Sequence, residues 1–447
     1  MMRVSPGLFE MKSPVNKLLF SLALSLCASV LLVSMVKAQS IKNKIEENVH
    51  LGSATCATSQ CHGKSEPVAG RNVHLDEYTF WIDQDYHATA YKTLLSDESK
   101  SMAAKLGLKS ARTAKICLDC HTDNVPSDKK GAKFQISDGV GCEACHGGAE
   151  KWIKTHTDPS ATHAENVAAG LIATEVGSVR AELCLSCHLG TKDKYATHQI
   201  MGAGHPRLRF EMNLFSENQP AHYSIDDDYI ERKGFTPGFN LWLEGQFISA
   251  IQGLEVAISR MHDSVGIFPD LAFYDCDSCH HSTNNLRWSS TRADGLQPGT
   301  LRLQMPNVAL LLAYARATGS DAIADQLQSA KRQVLHSAQG SKDGFKNSAN
   351  AMLGLIRQLR EQSKRDFSNA EVSAVRLAIL QAAGSDRASD FAEAEQVIYS
   401  FESLCIVLKE IDKCAPELDK LFDGVKRFND FNPTKFARIA KSVSSNL

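Results

Sequence analysis

The pattern of hydrophobic positions divides the chain into two parts. After residue 297, apolar residues recur every three to four positions among alanine, glutamine, lysine and arginine, which is typical of amphipathic helices. The pattern predicts helices over 308–318, 321–337, 345–363, 370–382 and 388–408. Glycines between or near these segments mark the breaks, at Gly319, Gly340, Gly344 and Gly384. We therefore predict a helical C-terminal domain over 298–447.

The part before residue 297 has a weaker pattern. One long helix is predicted over 241–262, and shorter helix-forming segments lie at 103–111 and 164–173. Segments 124–131 and 216–237 are rich in turn-forming residues, and no alternation of apolar and polar residues persists. The sequence thus predicts a mostly α fold with little sheet.

The N-terminus carries an export pattern. Lys12 and Lys17 precede a charge-free run over 18–36, and Ala38 completes a cleavage pattern that begins at Val36. We predict a signal peptide over 1–38. The alternative is a retained membrane anchor, because 19 uncharged residues can just span a bilayer.

Composition adds limits on the class of protein. The 447 residues are 43% hydrophobic and 22% charged, which excludes intrinsic disorder, and a formal net charge of −2 without basic runs disfavours nucleic acid as a partner. The unusual feature is the content of 13 cysteines and 16 histidines.

Ten of the cysteines form five close pairs, and a histidine directly follows each pair. Four pairs are C-x-x-C-H motifs, and the first is a C-x₄-C-H variant. The cysteines are Cys56, Cys61, Cys117, Cys120, Cys142, Cys145, Cys184, Cys187, Cys276 and Cys279, and the histidines are His62, His121, His146, His188 and His280. In this motif two thiols bond covalently to one porphyrin, and the histidine ligates its iron. We predict five covalent copies of heme c.

Zinc sites and redox-active thiol pairs are the alternatives. Cys117, Cys120, Cys142 and Cys145 alone resemble a zinc ribbon. Neither alternative explains why a histidine follows all five pairs. Heme attachment outside the bacterial cytoplasm also agrees with the export pattern, so we predict a periplasmic protein, with a membrane-anchored or cell-surface form as a variant.

Further histidines could supply the second ligand of each iron. His156 and His198 each lie ten residues beyond a motif histidine, and such a residue reaches a neighbouring heme more easily than its own. The predicted distal ligands are His74, His87, His156, His198 and His205. The alternative for each is a surface histidine or one that bonds a heme propionate. Weaker candidates are His50, His163, His222, His262 and His336, whereas His281, which adjoins His280, is expected to bond a propionate or a neighbour. The candidate propionate partners are Arg207, Arg209, Arg287 and Arg292.

The five motifs occupy only residues 56–280, which is too little chain to enclose each heme in a core of its own. We predict a pentaheme domain over 39–297 in which stacked hemes form the core. In the heme-free C-terminal domain, Cys405 and Cys414 are nine residues apart, so a disulfide between them requires a break in the helix, and Pro416 predicts a turn over 412–415. An oxidising compartment favours that bond over two free thiols.

The motifs and their surroundings resemble the cytochrome c-554 family, within the wider group of multiheme nitrite reductases and hydroxylamine oxidoreductases. The resemblance covers roughly residues 50–290. It lies in residues 141–147 with Trp152 and His156, in residues 184–188 with His198, Met201 and 204–208, and in residues 274–281. It implies a mostly helical fold, closely stacked hemes and largely bis-histidine ligation. The chain differs from the family in its fifth motif, its C-x₄-C-H motif and its heme-free tail.

The predicted function is electron transport through five hemes between redox protein partners: a quinol-linked donor and a terminal reductase or extracellular acceptor, with docking into a membrane-associated complex as a variant. The alternative is an enzyme in which one heme lacks a distal ligand and converts nitric oxide, nitrite, hydroxylamine or tetrathionate. The sequence assigns no catalytic residue.

Overall fold

The structure is a computed structural model, and it describes residues 41–70, 73–263, 270–280, 295–297, 300–385, 390–426 and 428–447. The chain divides into two compact units, residues 1–44 and residues 45–447. Of the first unit, only residues 41–44 are described, in a short helix that ends at Ile45. The predicted signal peptide over 1–38 lies outside the described residues.

The described residues form a mostly α-helical protein, as predicted. The helices before the fifth motif are α1 (Ile41–Ile45), α2 (Glu77–Gln84), α3 (Ala90–Thr93), α4 (Asp97–Lys105), α5 (Lys115–His121), α6 (Cys142–His146), α7 (Ile153–His156), α8 (His163–Ala168), α9 (Gly177–His188), α10 (His198–Ala203), α11 (Met212–Asn218), α12 (Asp227–Lys233) and α13 (Gly238–Asp263). After it follow α14 (Pro306–Ala317), α15 (Asp321–Ser337), α16 (Lys342–Gln362), α17 (Asn369–Gly384), α18 (Phe391–Val407), α19 (Ile411–Val425) and α20 (Pro433–Ser444).

Short 3₁₀ turns connect many of these helices. They lie at Ser53–Thr55, Tyr86–Thr89, Ala111–Thr113, Ser127–Lys129, Ile136–Asp138, Leu271–Phe273, Cys276–Ser278 and Phe428–Asp430. Within the described ranges, β structure is limited to two isolated bridges, which join His50 to Lys130 and Tyr274 to Leu303. The same ranges contain no helix that is long and apolar enough to cross a membrane.

The long predicted helices agree with the structure to within a few residues, whereas two short ones are displaced. The segment predicted over 103–111 instead contains the end of α4. That helix begins earlier, where the Ser96 hydroxyl caps it by accepting from Ser99 N. It ends before Gly107, which has a φ of +67°. Helix α8 ends at Ala168, before Gly170 with a φ of +110°. Helices α19 and α20 were not predicted.

Helix α13 packs both on the segment that carries the first four motifs and on the helices that follow the fifth motif. It contacts α9, which carries the fourth motif, and it contacts α14, α16 and α18 after the fifth motif. Its buried side chains include Trp242 and Phe247, and the Trp242 indole donates to Ser400 Oγ in α18 at 3.0 Å. These contacts belong to one large hydrophobic cluster that extends through the C-terminal helices. The proposed division at residue 297 stays a prediction.

The predicted disulfide is confirmed. Cys405 lies near the end of α18 and Cys414 lies in the first turns of α19, with the break between the helices at residues 408–410. The turn predicted over 412–415 is wrong, because those residues belong to the first turns of α19, where Pro416 is tolerated. Lys409 has a φ of +58°, so the chain reverses there and brings the two Cα atoms to 6.4 Å.

Candidate heme-binding sites

Local structure places the two cysteines of most motifs on one surface. The second, third and fourth motifs lie at the C-terminal ends of α5, α6 and α9, and positions three residues apart share one face of a helix. The fifth motif begins in a 3₁₀ turn. The first motif forms a wider turn, in which His62 N donates to Cys56 O at 3.1 Å. The four intervening residues therefore loop out without separating the histidine from the first cysteine.

Each of the five motif histidines faces a second histidine that lies outside the motifs. The distances between ring centres are 6.0 Å for His62 and His156, 6.4 Å for His121 and His205, 6.1 Å for His146 and His222, 6.1 Å for His188 and His87, and 6.2 Å for His280 and His198.

These distances match the chemistry of two imidazoles on one metal ion. A ligating nitrogen lies about 2 Å from the metal, and the ring centre lies about 1 Å farther out, so two opposed rings have centres about 6 Å apart. Ring pairs in direct contact have centres spread over a wider range, about 4.5–7 Å. The narrow range from 6.0 to 6.4 Å at all five pairs thus fits bis-histidine ligation of heme iron.

Hydrogen bonds orient several of these rings. The Nδ1 atom of His62 lies 2.8 Å from Glu77 Oε2, and the Nδ1 atom of His87 lies 2.8 Å from Asp85 Oδ1. Two further rings use Nδ1 toward backbone carbonyls: His121 toward Ala90 O at 3.1 Å and His205 toward Pro206 O at 2.7 Å. A bond at Nδ1 places the proton there and leaves Nε2 with the lone pair that a metal needs.

Burial keeps several of the facing histidines neutral. It lowers the pKa of His146 to about 3, and it lowers the pKa values of His121, His156, His188 and His222. Neutral imidazole is the form that ligates a metal. In contrast, the hydrogen bond to Glu77 raises the pKa of His62, and the hydrogen bond to Asp85 raises the pKa of His87, so these two imidazoles are more basic than an isolated histidine side chain.

The structure brings together four of the five predicted distal ligands with motif histidines. His87, His156, His198 and His205 each face one. His74 forms no such pair in the described part of the chain: its Nε2 atom lies 3.1 Å from Ser224 Oγ. The fifth partner is His222, which the sequence analysis placed among the weaker candidates.

His74 instead supports the first histidine pair through its backbone N–H, which positions Glu77. Its N–H donates to Glu77 Oε1 at 2.8 Å, while the other oxygen of Glu77 bonds His62. Glu77 and Asp85 were not predicted from the sequence. The local signal for Asp85 is its position two residues before His87, where it also caps the turn by accepting from His87 N at 2.9 Å.

Among the remaining candidate histidines, His50 and His163 bond carboxylates, His336 is exposed in α15, and the side chain of His262 lies outside the described part of the structure. His50 is fully buried between Asp123 Oδ2, at 2.7 Å, and Ile45 O, at 2.9 Å. His163 Nε2 lies 2.8 Å from Glu175 Oε1. His281 lies outside the described residues, as do Arg287 and Arg292. Arg207 and Arg209 both pair with the buried carboxylate of Glu395.

The ten motif cysteines form no disulfide, and two thiol pairs join different motifs. Cys56 of the first motif is within hydrogen-bonding reach of Cys142 of the third, and Cys120 of the second is within reach of Cys187 of the fourth. In the residues that the structure describes, no group of three or more cysteine, histidine or acidic side chains is arranged to hold a bare metal ion.

One buried hydrogen-bond donor near these histidines also fits the polar edge of heme. The Trp152 indole N–H is buried and lacks an acceptor among the described protein atoms, and its ring centre lies 5.6 Å from that of His156. A buried donor without a partner costs about 1–3 kcal/mol. A heme propionate would supply the missing acceptor.

Comparison with known proteins gives one match. Residues 55–147, which include the first three motifs, match the family model described as cytochrome c554 and c-prime. Searches of curated proteins and of solved structures gave no match.

Proposed function

We propose that this c-type cytochrome, which resembles the cytochrome c-554 family, carries electrons through five covalently bound hemes between periplasmic redox partners. The family match itself supports covalent heme c and a role in electron transport. The number of hemes, their ligands and the partners are our proposal. The observation that carries it is the set of five histidine pairs with ring centres 6.0–6.4 Å apart.

In this proposal, ten cysteines hold the porphyrins and ten histidines hold the irons. The motif histidines are the proximal ligands, and His156, His205, His222, His87 and His198 are the distal ligands of the first to fifth motifs in that order. His222 thus replaces His74 in the predicted set. When bound, each heme supplies a one-electron couple whose potential depends on its axial ligands, burial and nearby charge.

The distal ligands also tie the motifs to one another. His156 follows the third motif but faces the first, and His198 follows the fourth motif but faces the fifth. The thiol contacts between Cys56 and Cys142 and between Cys120 and Cys187 add links between the first and third motifs and between the second and fourth. Such interlocking supports closely spaced hemes, which electron transfer requires.

The pairing favours electron transport over the open-site enzyme. An enzyme that binds nitric oxide, nitrite, hydroxylamine or tetrathionate at iron needs a position without a protein ligand. Here every motif histidine has a facing histidine, so no site offers that position in this arrangement.

Export to the periplasm is part of the proposal. Structural disulfides persist in oxidising compartments, and Cys405 and Cys414 form one. Covalent heme attachment and the N-terminal pattern agree with that location. We propose a quinol-linked donor and a terminal reductase or extracellular acceptor as the redox partners.

The distal assignment can be tested with two matched variants of the heme-loaded protein. We expect His222→Ala to convert one of the five hemes from low spin to high spin, because its iron loses one ligand. His74→Ala should leave all five low spin, because the His74 ring bonds Ser224. Visible and electron paramagnetic resonance spectra of both variants provide the measurement. A high-spin heme in His74→Ala, with none in His222→Ala, would reverse the assignment.

A further inference from the structure

The consecutive helices α18 and α19 leave an open groove between them, which we call the α18–α19 groove. It has a volume of about 580 Å³, within the range of roughly 300–1,000 Å³ for sites that hold small organic molecules. Its apolar lining comes from Ile398 and Tyr399 of α18 and from Phe422 and Val425 of α19. Tyr399 is half-buried and Phe422 is 39% exposed, so two aromatic rings border the open space. None of the lining residues is a motif cysteine or a paired histidine.

The lining also contains a hydrogen-bond donor and an acceptor. Arg209 borders the groove, and its Nη1 atom lies 3.6 Å from Glu395 Oε1, which is too long for a hydrogen bond. On the other helix, Lys426 lies 3.8 Å from Asp423, which leaves Asp419 without a cationic partner in the described part of the chain. The groove therefore offers a guanidinium that can donate and a carboxylate that can accept.

A series of aromatic rings connects the α18–α19 groove with the fourth motif. The Phe210 ring stacks on the ring of His188, the motif histidine, with centres 4.5 Å apart. The Phe215 ring centre lies 4.7 Å from that of Phe210, and the Tyr399 ring centre lies 6.1 Å from that of Phe215. Adjacent rings thus lead from an iron ligand of the proposed function to a residue that lines the groove.

This series distinguishes the α18–α19 groove from a gap in ordinary side-chain packing. Heme attachment requires two cysteines and a histidine and does not call for these aromatic residues. Electron transfer slows steeply with distance, so a redox-active molecule in the groove would be joined to the fourth motif by short steps. A molecule without redox chemistry would have no use for that connection.

We propose that the α18–α19 groove binds a small hydroquinone, with one or two fused aromatic rings, as an electron donor to this chain. Tyr399 and Phe422 contact its rings. Asp419 accepts a hydrogen bond from one hydroxyl, and Arg209 donates to an oxygen. Such a molecule is neutral near pH 7, because a phenolic hydroxyl has a pKa of about 10. The lining contains two basic and three acidic side chains, so it does not favour an anion.

The inference rests on the proposed electron transport, and it names the chemical class of a donor that binds this chain directly. Oxidation of the hydroquinone to its quinone breaks two O–H bonds and releases two electrons and two protons. The electrons leave one at a time for ferric heme, the oxidant that the proposed function supplies. The protons leave for the water to which the groove opens.

Binding can be measured separately from electron transfer. Heme-loaded, full-length protein would be reduced with dithionite in the absence of oxygen, so that it cannot oxidise the ligand, and then titrated calorimetrically with menadiol, a two-ring hydroquinone. We expect a saturable site in the wild type. Phe422→Ala should weaken binding about tenfold, because the ligand loses an aromatic contact. Phe235→Ala makes the same change at a residue that is 50% exposed outside the groove, and it should not alter binding.

A second pair of variants tests the polar contact. Asp419→Ala should weaken the binding of menadiol to the reduced protein but not that of menadione to the oxidised protein, because the quinone has no hydroxyl to donate. Asp412→Ala removes the same charge from the exposed first turn of α19, and it should leave both affinities unchanged. This pair decides if Phe422→Ala does not fold.

The two proposals fail differently. No saturable binding of menadiol to the wild type, or equal weakening by Phe422→Ala and Phe235→Ala, would overturn the inference and leave the five hemes and their redox transitions as proposed. A ratio of heme to protein below five contradicts the proposed function, whatever binds in the α18–α19 groove.

Discussion

The segment that carries the first four motifs and the C-terminal helices differ in what fills their interiors. Before α13, buried apolar residues form a cluster of four around Leu94 and Leu118, and a cluster of five that joins Ala181, Leu185 and Met212 to α13. The C-terminal helices and α13 share one large cluster with many fully buried side chains, including Leu311, Phe345 and Phe401. The C-terminal helices thus have a core made of protein, whereas the motif segment has little.

This difference indicates where the cofactor replaces the protein core. Ten histidines stand in five pairs with ring centres 6.0–6.4 Å apart, and in the proposed arrangement five porphyrins would fill the interior of the motif segment. Stability before α13 should therefore depend on heme, and stability after residue 300 should depend on ordinary side-chain packing.

Withholding heme should have the largest effect on the difference between the two interiors. We expect the chain produced without heme attachment to lose protection from hydrogen exchange over residues 45–234. Helix α13 and the helices from Pro306 onward should keep roughly 10³-fold protection or more, because their cluster contains no porphyrin. Hydrogen exchange with mass spectrometry measures both. Equal protection of both parts in the heme-free chain would show that the comparison is mistaken.

The Cys405–Cys414 disulfide tests whether the C-terminal helices are stable independently of heme. Replacing Cys405 and Cys414 with serine should lower the free energy of unfolding of the C-terminal helices by about 2–3 kcal/mol, since the bond closes a short loop in the unfolded chain. Heme content and visible spectrum should not change. Denaturant unfolding followed by circular dichroism measures the loss, and reduced wild type serves as the control. Loss of heme from the double variant would contradict the separation of the two interiors.

A smaller effect is expected inside the motif segment. Glu77→Gln removes the carboxylate that bonds His62, so His62 becomes a less basic ligand and the oxidised iron loses stabilisation. We expect one midpoint potential to rise by about 40 mV, equivalent to about 1 kcal/mol. Spectroelectrochemical titration measures it. Glu98→Gln, the same change at an exposed position in α4, should leave all five potentials in place.

The sequence alone predicts the helices and heme motifs that are determined by residues close together in the chain. Helices α15 and α17 follow from apolar periodicity together with caps such as Ser368, whose hydroxyl bonds Glu371 N while Glu371 bonds back. The heme motifs follow from covalent chemistry, which fixes the spacing of two thiols and an imidazole. The break that permits the Cys405–Cys414 bond could be inferred from the distance limit alone.

The distal ligands depend on contacts far apart in the chain, and there the sequence was less informative. His222 faces His146, 76 positions earlier, through a turn-rich segment in which no repeat marks it. His74 lies nearer to a motif along the chain than His87 does, but its ring turns toward Ser224. Only the three-dimensional packing distinguishes the two. Helix α20, with its short apolar stripe at Phe436, Ala440 and Val443, is fixed by packing on α17.

The orientation of the ring pairs provides a test of the proposal that every heme iron has two histidine ligands. In three pairs, His87–His188, His121–His205 and His146–His222, the ring planes are 86–88° apart, whereas His62–His156 and His198–His280 differ by 20° and 34°. Perpendicular imidazoles donate equally to two iron d orbitals, so those orbitals stay nearly equal in energy. Near-parallel imidazoles donate mainly to one and separate them.

The measurement is an electron paramagnetic resonance spectrum of the fully oxidised, heme-loaded protein, recorded with and without nitric oxide and nitrite, beside the ratio of heme to protein. We predict five hemes per chain, all low spin. Three should give strongly anisotropic signals and two should give rhombic signals, and neither class should respond to added ligand. A high-spin signal that shifts when nitric oxide or nitrite is added would contradict the account, because one iron would then lack the second histidine that the five pairs assign to it.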